Sequence, residues 1–342
     1  DYSAAFDSTT GFLTITMLAG GKGAAATAIK VSGKVIDPSK VTKEDVIGAV
    51  DPSTGAETGA QVIRQVYPRL GIVPGLILAP GWSQIPEVGL ALAAKAAKIN
   101  GVYSAMALLD LDTAKAKKYT DTKSVKEESG YTSPFCYPLW PCDRVGEYIL
   151  AKSAVAGAMI QYMASDNEDV PNQSPSNHLL GVGGQCLEDG TEVYLDQDQA
   201  NTVNGYGVTT AINQNGYRLW GNYTGAYPAS SDAKDIWFAV RRMFSWQGNN
   251  FIQTYFDEVD DPMNNVLVQS VVDSENIRCS AYAPKYWAGA SIEYKSDDNP
   301  KTAILAGTMK FRQHIAPYTP AQEIVDIIDY DTDTLAAAVG GN

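Results

Sequence analysis

Along the middle of the chain, short unbroken apolar runs alternate with longer segments of helical period. The runs are Gly75 to Gly81, Ala105 to Leu111 and Ser133 to Leu139; the helical segments are Val62 to Leu70, Pro86 to Asn100, Ala114 to Glu128 and Arg144 to Ala164. Strands that are apolar throughout are buried on both faces, and a helix between two of them returns the chain for a parallel neighbour. The pattern predicts an α/β domain. After Thr191 it changes to short runs, EVYLD, GVTTAI and YRLWGNYT, with a turn at Gln214 to Gly216 joining the last two as antiparallel strands.

Beyond Asp232, a good N-cap, Ile236, Ala239, Val240 and Met243 recur at helical spacing, with Trp237 and Phe244 widening the apolar face and Gly248 expected to stop the helix. A second helix is expected from Met263 to about Val272, with Pro262 in its first turn. Ala290 to Tyr294, Thr302 to Phe311 and Glu323 to Tyr330 read as strands, which makes the last hundred or so residues an α+β unit. At the other end, GFLTITML (11 to 18) and TAIKVSGKVID (27 to 37) read as paired strands, and a short helix, KEDVIGAV, lies in a Pro, Thr, Gly and Asp rich junction at 38 to 60.

Composition adds bounds. With 342 residues, 45% hydrophobic and 19% charged, the chain has enough apolar material for about two domains. No apolar run reaches the roughly 20 residues of a membrane-spanning helix, and no signal peptide opens the chain, so a soluble protein is expected without membrane insertion. A chain beginning at Asp1 is expected to lack its native start. The net charge of −13 disfavours nucleic acid as a partner. Four cysteines, Cys136 and Cys142 among them, are too few for a disulfide scaffold and read as free thiols, and two histidines leave little for metal or acid–base chemistry.

Candidate chemistry is thin. Gly21-x-Gly23-x-x-Ala26, with Glu44 and Asp45 some twenty residues on, loosely fits a dinucleotide fingerprint but opens no βαβ unit and reads as a surface turn. Gly81-Trp82-Ser83-Gln84-Ile85 nearly makes a nucleophile elbow yet lacks its second glycine. A triad could be drawn from Ser83, His178 and Asp110, with Asp112 or Ser174, Ser176 and Asn177 nearby, but no motif fixes their geometry, and caps and turns account for them better. Asp257, Glu258, Asp260 and Asp261 form one acidic cluster, and Asp329, Asp331 and Asp333, which would share a face if extended, form another. Neither has calcium-loop spacing, since Thr334 and Gly340 stand where that loop needs Gly and Glu. No metal or other cofactor is expected. The densest aromatic stretch, Asn215 to Leu267, holds Trp220, Trp237, Met243 and Trp246, with Arg241 and Arg242 among them.

Six strings carry a family resemblance: VPGLILAPGWS (73 to 83), ALLDLD (107 to 112), SPSN (174 to 177), GYRLWGNYT (216 to 224), VRRMFSW (240 to 246) and FDEVDDPMN (256 to 264). Together they resemble the tail sheath proteins of contractile-tailed bacteriophages, over about Asp37 to Tyr330. The resemblance implies a β-rich segment at 1–50, a subtilisin-like α/β sheath domain without a catalytic triad at 51–227, and an α+β sheath domain with a terminal strand arm at 228–342. It implies a virion tail protein, made in the host cytoplasm, from an infective phage, a prophage or a tailocin. Its subunits would stack as hexameric rings in a helical polymer around an inner tube protein, meet baseplate and tail terminator proteins, and contract to drive the tube through the host envelope for genome ejection. Glu323, Ile324, Val325, Asp326, Ile327, Ile328, Asp329 and Tyr330 then become the inter-subunit arm. Asp257, Glu258, Asp260 and Asp261 become a tube-facing acidic patch, in a segment, 226 to 342, with nine Lys/Arg against sixteen Asp/Glu. Trp220, Trp237 and Trp246 become anchors of the joint between domains. The alternative, a serine hydrolase built on Ser83, is the enzymatic reading to be tested.

Overall fold

The computed structural model describes residues 2–7, 10–28, 30 and 37–340, which fall into two compact units, up to Val41 and from Thr42 onward. In the first, β1 (Tyr2–Phe6) pairs antiparallel with β2 (Leu13–Met17), Tyr2 opposite Met17. GFLTITML therefore pairs with the residues before it rather than with 27 to 37, of which Ile29 and 31 to 36 lie outside the described residues. Gly21 to Ala26 forms successive tight turns, Ala24 N donating to Gly21 O and Ala26 N to Gly23 O, each at 3.0 Å, so no helix starts there to hold a pyrophosphate.

The second unit begins with α1 (Lys43–Ile47), held by a capping box in which Thr42 and Asp45 satisfy each other's backbone N–H groups, and α2 (Val66–Leu70). Then β3 (Leu76–Leu78), α3 (Pro86–Ala97), β4 (Met106–Asp110), α4 (Thr122–Ser129) and β5 (Cys136–Leu139) build the expected parallel sheet in the order β3-β4-β5. Strand β4 shows why its sequence does not alternate in polarity. Ala107 and Leu109 face α3 in a core with Val88, Leu92 and Ala96, while Met106 and Leu108 face the opposite core with Tyr137, Ala156 and Ile160. All four are fully buried. The sheet is extended by a parallel bridge from Leu139 to Thr209.

The expected helix from Arg144 is corrected at its start. Residues 142 to 150 form an antiparallel pair, β6 (Cys142–Val145) and β7 (Tyr148–Leu150), turned at Gly146 with φ of 60°, and helix α5 (Lys152–Asp166) follows. Two residues suffice for that turn because glycine takes the left-handed conformation without a steric penalty. β8 (Gly184–Cys186) joins β6 on its other edge, and α6 (Gln197–Gly205) leads to β9 (Thr210–Asn213) and β10 (Tyr217–Trp220), antiparallel across the expected turn at Gln214 to Gly216.

Asp232 caps α7 (Ala233–Ile236), and after a break at Trp237 comes α8 (Phe238–Thr254). Gly248 does not stop α8: it lies inside the helix, where an interior glycine costs about 1 kcal/mol against the packing of a long buried face. Asn264 caps α9 (Asn265–Ala281), which leaves Pro262 outside the helix and carries it nine residues beyond the expected end. β11 (Trp287–Glu293) pairs antiparallel with β12 (Arg312–Pro317). Between them, where a strand from Thr302 was expected, Pro300 opens a short helix, α10 (Lys301–Leu305), and Gly307 turns the chain at φ of 74°. The third core, Val170, Met243, Cys279, Tyr286 and Trp287, joins α8, α9 and β11. Glu323 to Tyr330 forms no strand, and Asp331 caps a last helix, α11 (Thr332–Ala338).

Candidate functional site

In a parallel sheet, ligand sites open at the carboxyl ends of the strands. Here a cavity of about 270 Å³ lies at that place, lined by Gly81, Asp110, Leu111 and Leu139 among others, and the polar groups beside it are hydrogen-bonded to one another. Ser83, fully buried, donates from Oγ to Asp110 Oδ2 at 2.9 Å and accepts from the Asp110 N–H at 3.0 Å. Asp110 also accepts from the Ser153 N–H at 2.8 Å and the Ser153 hydroxyl at 2.5 Å. Ser153 is the second residue of α5, and the residue before that helix, Ala151, has no side chain able to cap it. Asp110 therefore serves as the N-cap of α5 from another strand, meeting an orphan donor at the positive end of the helix dipole. Burial pushes its carboxyl above the usual range, against the hydrogen bonds from Ser153 and Ser83.

Next to this cluster Lys152 Nζ donates to Asp143 Oδ1, both residues fully buried. Lys152, Ser153 and Asp143 were not singled out in the sequence, because Asp143 lay just ahead of the expected helix from Arg144 and the other two lay within it. His178 is elsewhere. It lines a cavity of about 1070 Å³ with Ser174, Ser176, Asn177, Trp220 and Tyr223. The triad drawn from Ser83, His178 and Asp110 is thus not assembled: its serine is closed to solvent and its histidine faces another cavity. The serine hydrolase alternative loses its only geometric basis. Asp112 accepts from the Ala114 N–H at 2.9 Å, as a turn residue does. Among the described residues no group of three or more His, Cys, Asp or Glu could hold a metal ion, and no helix is long and apolar enough to cross a membrane.

The surface is more informative. Pro320 to Ile324 line the same cavity as His178, and from there the chain leaves the core. Ile324 is 88% exposed, Val325 70%, Ile327 79%, Ile328 87% and Tyr330 76%. Glu323, Asp326 and Asp329 are exposed among them. Five large apolar side chains are thus exposed in one segment of seven residues. Asp331 and Asp333 belong to the capped start of α11 rather than to an extended acidic face.

Asp257, Asp260 and Asp261 are exposed in the loop after α8, together with Phe256 and Val259; Glu258 is partly buried. None of the four acids makes a salt bridge among the described residues. The three tryptophans are half-buried. Trp220 donates from Nε1 to Asn201 at 2.9 Å, Trp237 stacks on Tyr223 with ring centres 4.8 Å apart, and Trp246 meets Tyr282 edge-on at 5.2 Å.

The fold is that of contractile-sheath subunits. It matches a sheath complex of an extracellular contractile injection system in its contracted state with a TM-score of 0.63, at 18% identity over 81% of this chain and 76% of that one. It matches a chain of the anti-feeding prophage baseplate with a TM-score of 0.61, at 17% identity over 88% of this chain and 83% of that one. No family model matches the sequence. Sequence relatives carry the point further. The tail sheath protein of Burkholderia phage BcepMu is 26% identical over 93% of this chain and 68% of its own length, and that of Escherichia phage P2 is 24% identical over 83% and 69%. A putative prophage major tail sheath protein of Pseudomonas aeruginosa is 29% identical over 64% of this chain and 54% of its own length. The chain is a homologue of phage tail sheath proteins, and the resemblance read from its sequence is borne out.

Proposed function

We propose that this chain is a structural subunit of a contractile tail sheath, polymerising as stacked hexameric rings around an inner tail tube and contracting to drive the tube through a host envelope. The homology to tail sheath proteins over most of the chain carries this reading. The exposed arm supports it, since large apolar side chains grouped in one segment suit a surface that a partner covers. The parallel-sheet part, 51–227, is on this reading a subtilisin-like sheath domain without a triad, 228–342 the C-terminal sheath domain and 1–50 an N-terminal segment. No enzymatic step is assigned to it. The protein would reside in the virion tail after assembly in the host cytoplasm and meet baseplate and terminator proteins at the sheath ends.

In this proposal, residues 323 to 330 add a strand to a sheet of a neighbouring subunit. Main-chain hydrogen bonds of that kind survive a change of side-chain contacts, so subunits could rotate without separating. The two-stranded sheet β11–β12 leaves an edge free on each side among the described residues. Asp257, Glu258, Asp260 and Asp261 would face a basic patch on the tube, and Trp220, Trp237 and Trp246 would hold the two sheath domains in fixed relation. The energy of contraction would be the difference between two packings of the same chain. Negative-stain microscopy of the chain mixed with its tube protein tests this: rings or helical tubes of regular pitch are expected, and a protein that stays monomeric at all concentrations with tube present would sink the proposal.

A further inference from the structure

The four cysteines are free in the structure, and two of them stand opposite one another. In the antiparallel pair β6–β8, Cys142 is in register with Cys186. Which kind of pair they form follows from the other edge of β8. Gln185 O accepts from Val193 N at 2.9 Å, and Leu187 N donates to Thr191 O at 2.8 Å, so those two residues point their backbone groups away from β6. Backbone direction alternates along a strand, hence Cys186 points its own groups toward Cys142. Residues in such a hydrogen-bonded pair have Cα atoms about 5.5 Å apart, inside the roughly 4.4 to 6.8 Å range of disulfides. Opposite residues also present their side chains on the same face of the sheet.

We propose that Cys142 and Cys186 are a modification site, closing to a reversible cross-strand disulfide when a small disulfide oxidant of the glutathione class is present. The Cys142 thiolate attacks the oxidant, forming a mixed disulfide and releasing one glutathione thiolate. The Cys186 thiolate then displaces the second. Two cysteine thiols lose their protons and two electrons, and the oxidant leaves as two thiols. Cys142 is the entry point, because it is partly exposed and lines a cavity of about 270 Å³ with Pro141, Ile149 and Glu188, whereas Cys186 is fully buried. Burial holds both thiols above their ordinary range, that of Cys142 at about 12, which makes the reaction slow. Opposite Cβ atoms in a hydrogen-bonded pair lie near 5.5 Å, and a bridge needs about 3.8 Å. The strands must pinch together, so the bond is strained and readily reduced. The remaining thiols are internal controls. Cys136 is buried in β5 opposite Ala107, and Cys279 in α9 lies near Glu275, neither in register with another cysteine.

The test is to incubate the folded full chain with oxidised glutathione, quench with acid, alkylate the remaining thiols under denaturing conditions and map peptides by mass without reduction. The expected product is one cross-linked peptide pair holding Cys142 and Cys186, lighter by two hydrogens, with Cys136 and Cys279 alkylated and the bridge lost on adding a monothiol. Recovery of all four alkylated cysteines, or glutathione on Cys142 that never resolves, would overturn the proposal. Cys186→Ser separates the steps: it should accumulate glutathione on Cys142 alone, and absence of that adduct would refute Cys142 as the entry thiol.

Discussion

The arm offers the sharpest test of how this chain assembles. Replacing Ile327 and Ile328 together by Asp changes two side chains that are 79% and 87% exposed in the free subunit. Substitutions at such positions usually alter folding stability by no more than about 0.5 kcal/mol, so the melting curve should not move. If the arm is covered by a neighbour, each lost isoleucine removes roughly 1.5–3 kcal/mol of burial, together about 3–6 kcal/mol per contact. At about 1.4 kcal/mol per decade, association should weaken by roughly a hundred- to ten-thousand-fold. The five exposed apolar residues of the arm could supply about 7–15 kcal/mol in all, which is comparable to the cost of association. Assembly should therefore be sensitive to either isoleucine. Sedimentation velocity across a concentration series, paired with circular-dichroism melts of the same samples, reads both quantities. Assembly at an unchanged critical concentration would refute the argument, and so would a melting temperature lowered by many degrees, which would place the arm in the fold.

Three further outcomes follow from the interior and the acidic loop. Asp110→Ala removes the cap of α5 and leaves Ser83 Oγ and both Ser153 donors without their partner; a loss of about 3 kcal/mol or more is expected in urea unfolding, and a loss under about 1 kcal/mol would contradict the capping role. Lys126 is buried, donates to the carbonyls of Tyr206 at 2.8 Å and Tyr227 at 2.5 Å, and burial pushes its ammonium down to about 8 from 10.5. The folded state then binds this proton more weakly than the unfolded state, so its contribution to stability rises between about pH 8 and 10.5, by on the order of 2–4 kcal/mol. Lys126→Met should remove that rise relative to wild type, and equal pH slopes for the two proteins would count against it. Reversing Asp257, Asp260 and Asp261 to Lys should weaken tube binding most at low salt, with binding unchanged at every salt concentration as the contrary result.

The parallel sheet was legible because β3, β4 and β5 are apolar on both faces, a signal that survives without any knowledge of neighbours. The caps at Asp232 and Asn264 mark helix starts, the first expected from the sequence and the second one residue inside the expected helix, since a short polar side chain before an apolar face has few other uses. Boundaries were harder. Gly248 has the weak propensity of a helix breaker, yet the face that includes Met243 and Ser245 is buried in tertiary contacts that no local reading contains. Residues 144 to 150 were absorbed into a helix because Val145, Ile149 and Leu150 satisfy helical spacing as well as strand pairing. The polar cluster was the least visible part. Ser83 and Asp110 were singled out, but as candidate chemistry. Their role depends on Ser153, 43 positions from Asp110, and only the fold brings the three together.

Helix α8 also acts as a strut. It is 17 residues long, or roughly 25 Å. Near its start, Phe238 stacks on Tyr137 of β5 with ring centres 4.0 Å apart. Further along, Asn249 clasps the backbone of Ser104 in both directions, at 2.8 and 2.9 Å. Between these points Gln247 donates to Glu275 of α9 at 2.6 Å, and Glu275 in turn accepts from Gln313 of β12 at 3.1 Å. A pull applied to β12 would thus be delivered through side-chain hydrogen bonds to one stiff rod and from there into the parallel sheet at two separated points. Load shared in that way would be borne by the helix as a whole, with little stretch left for the backbone between its two attachments.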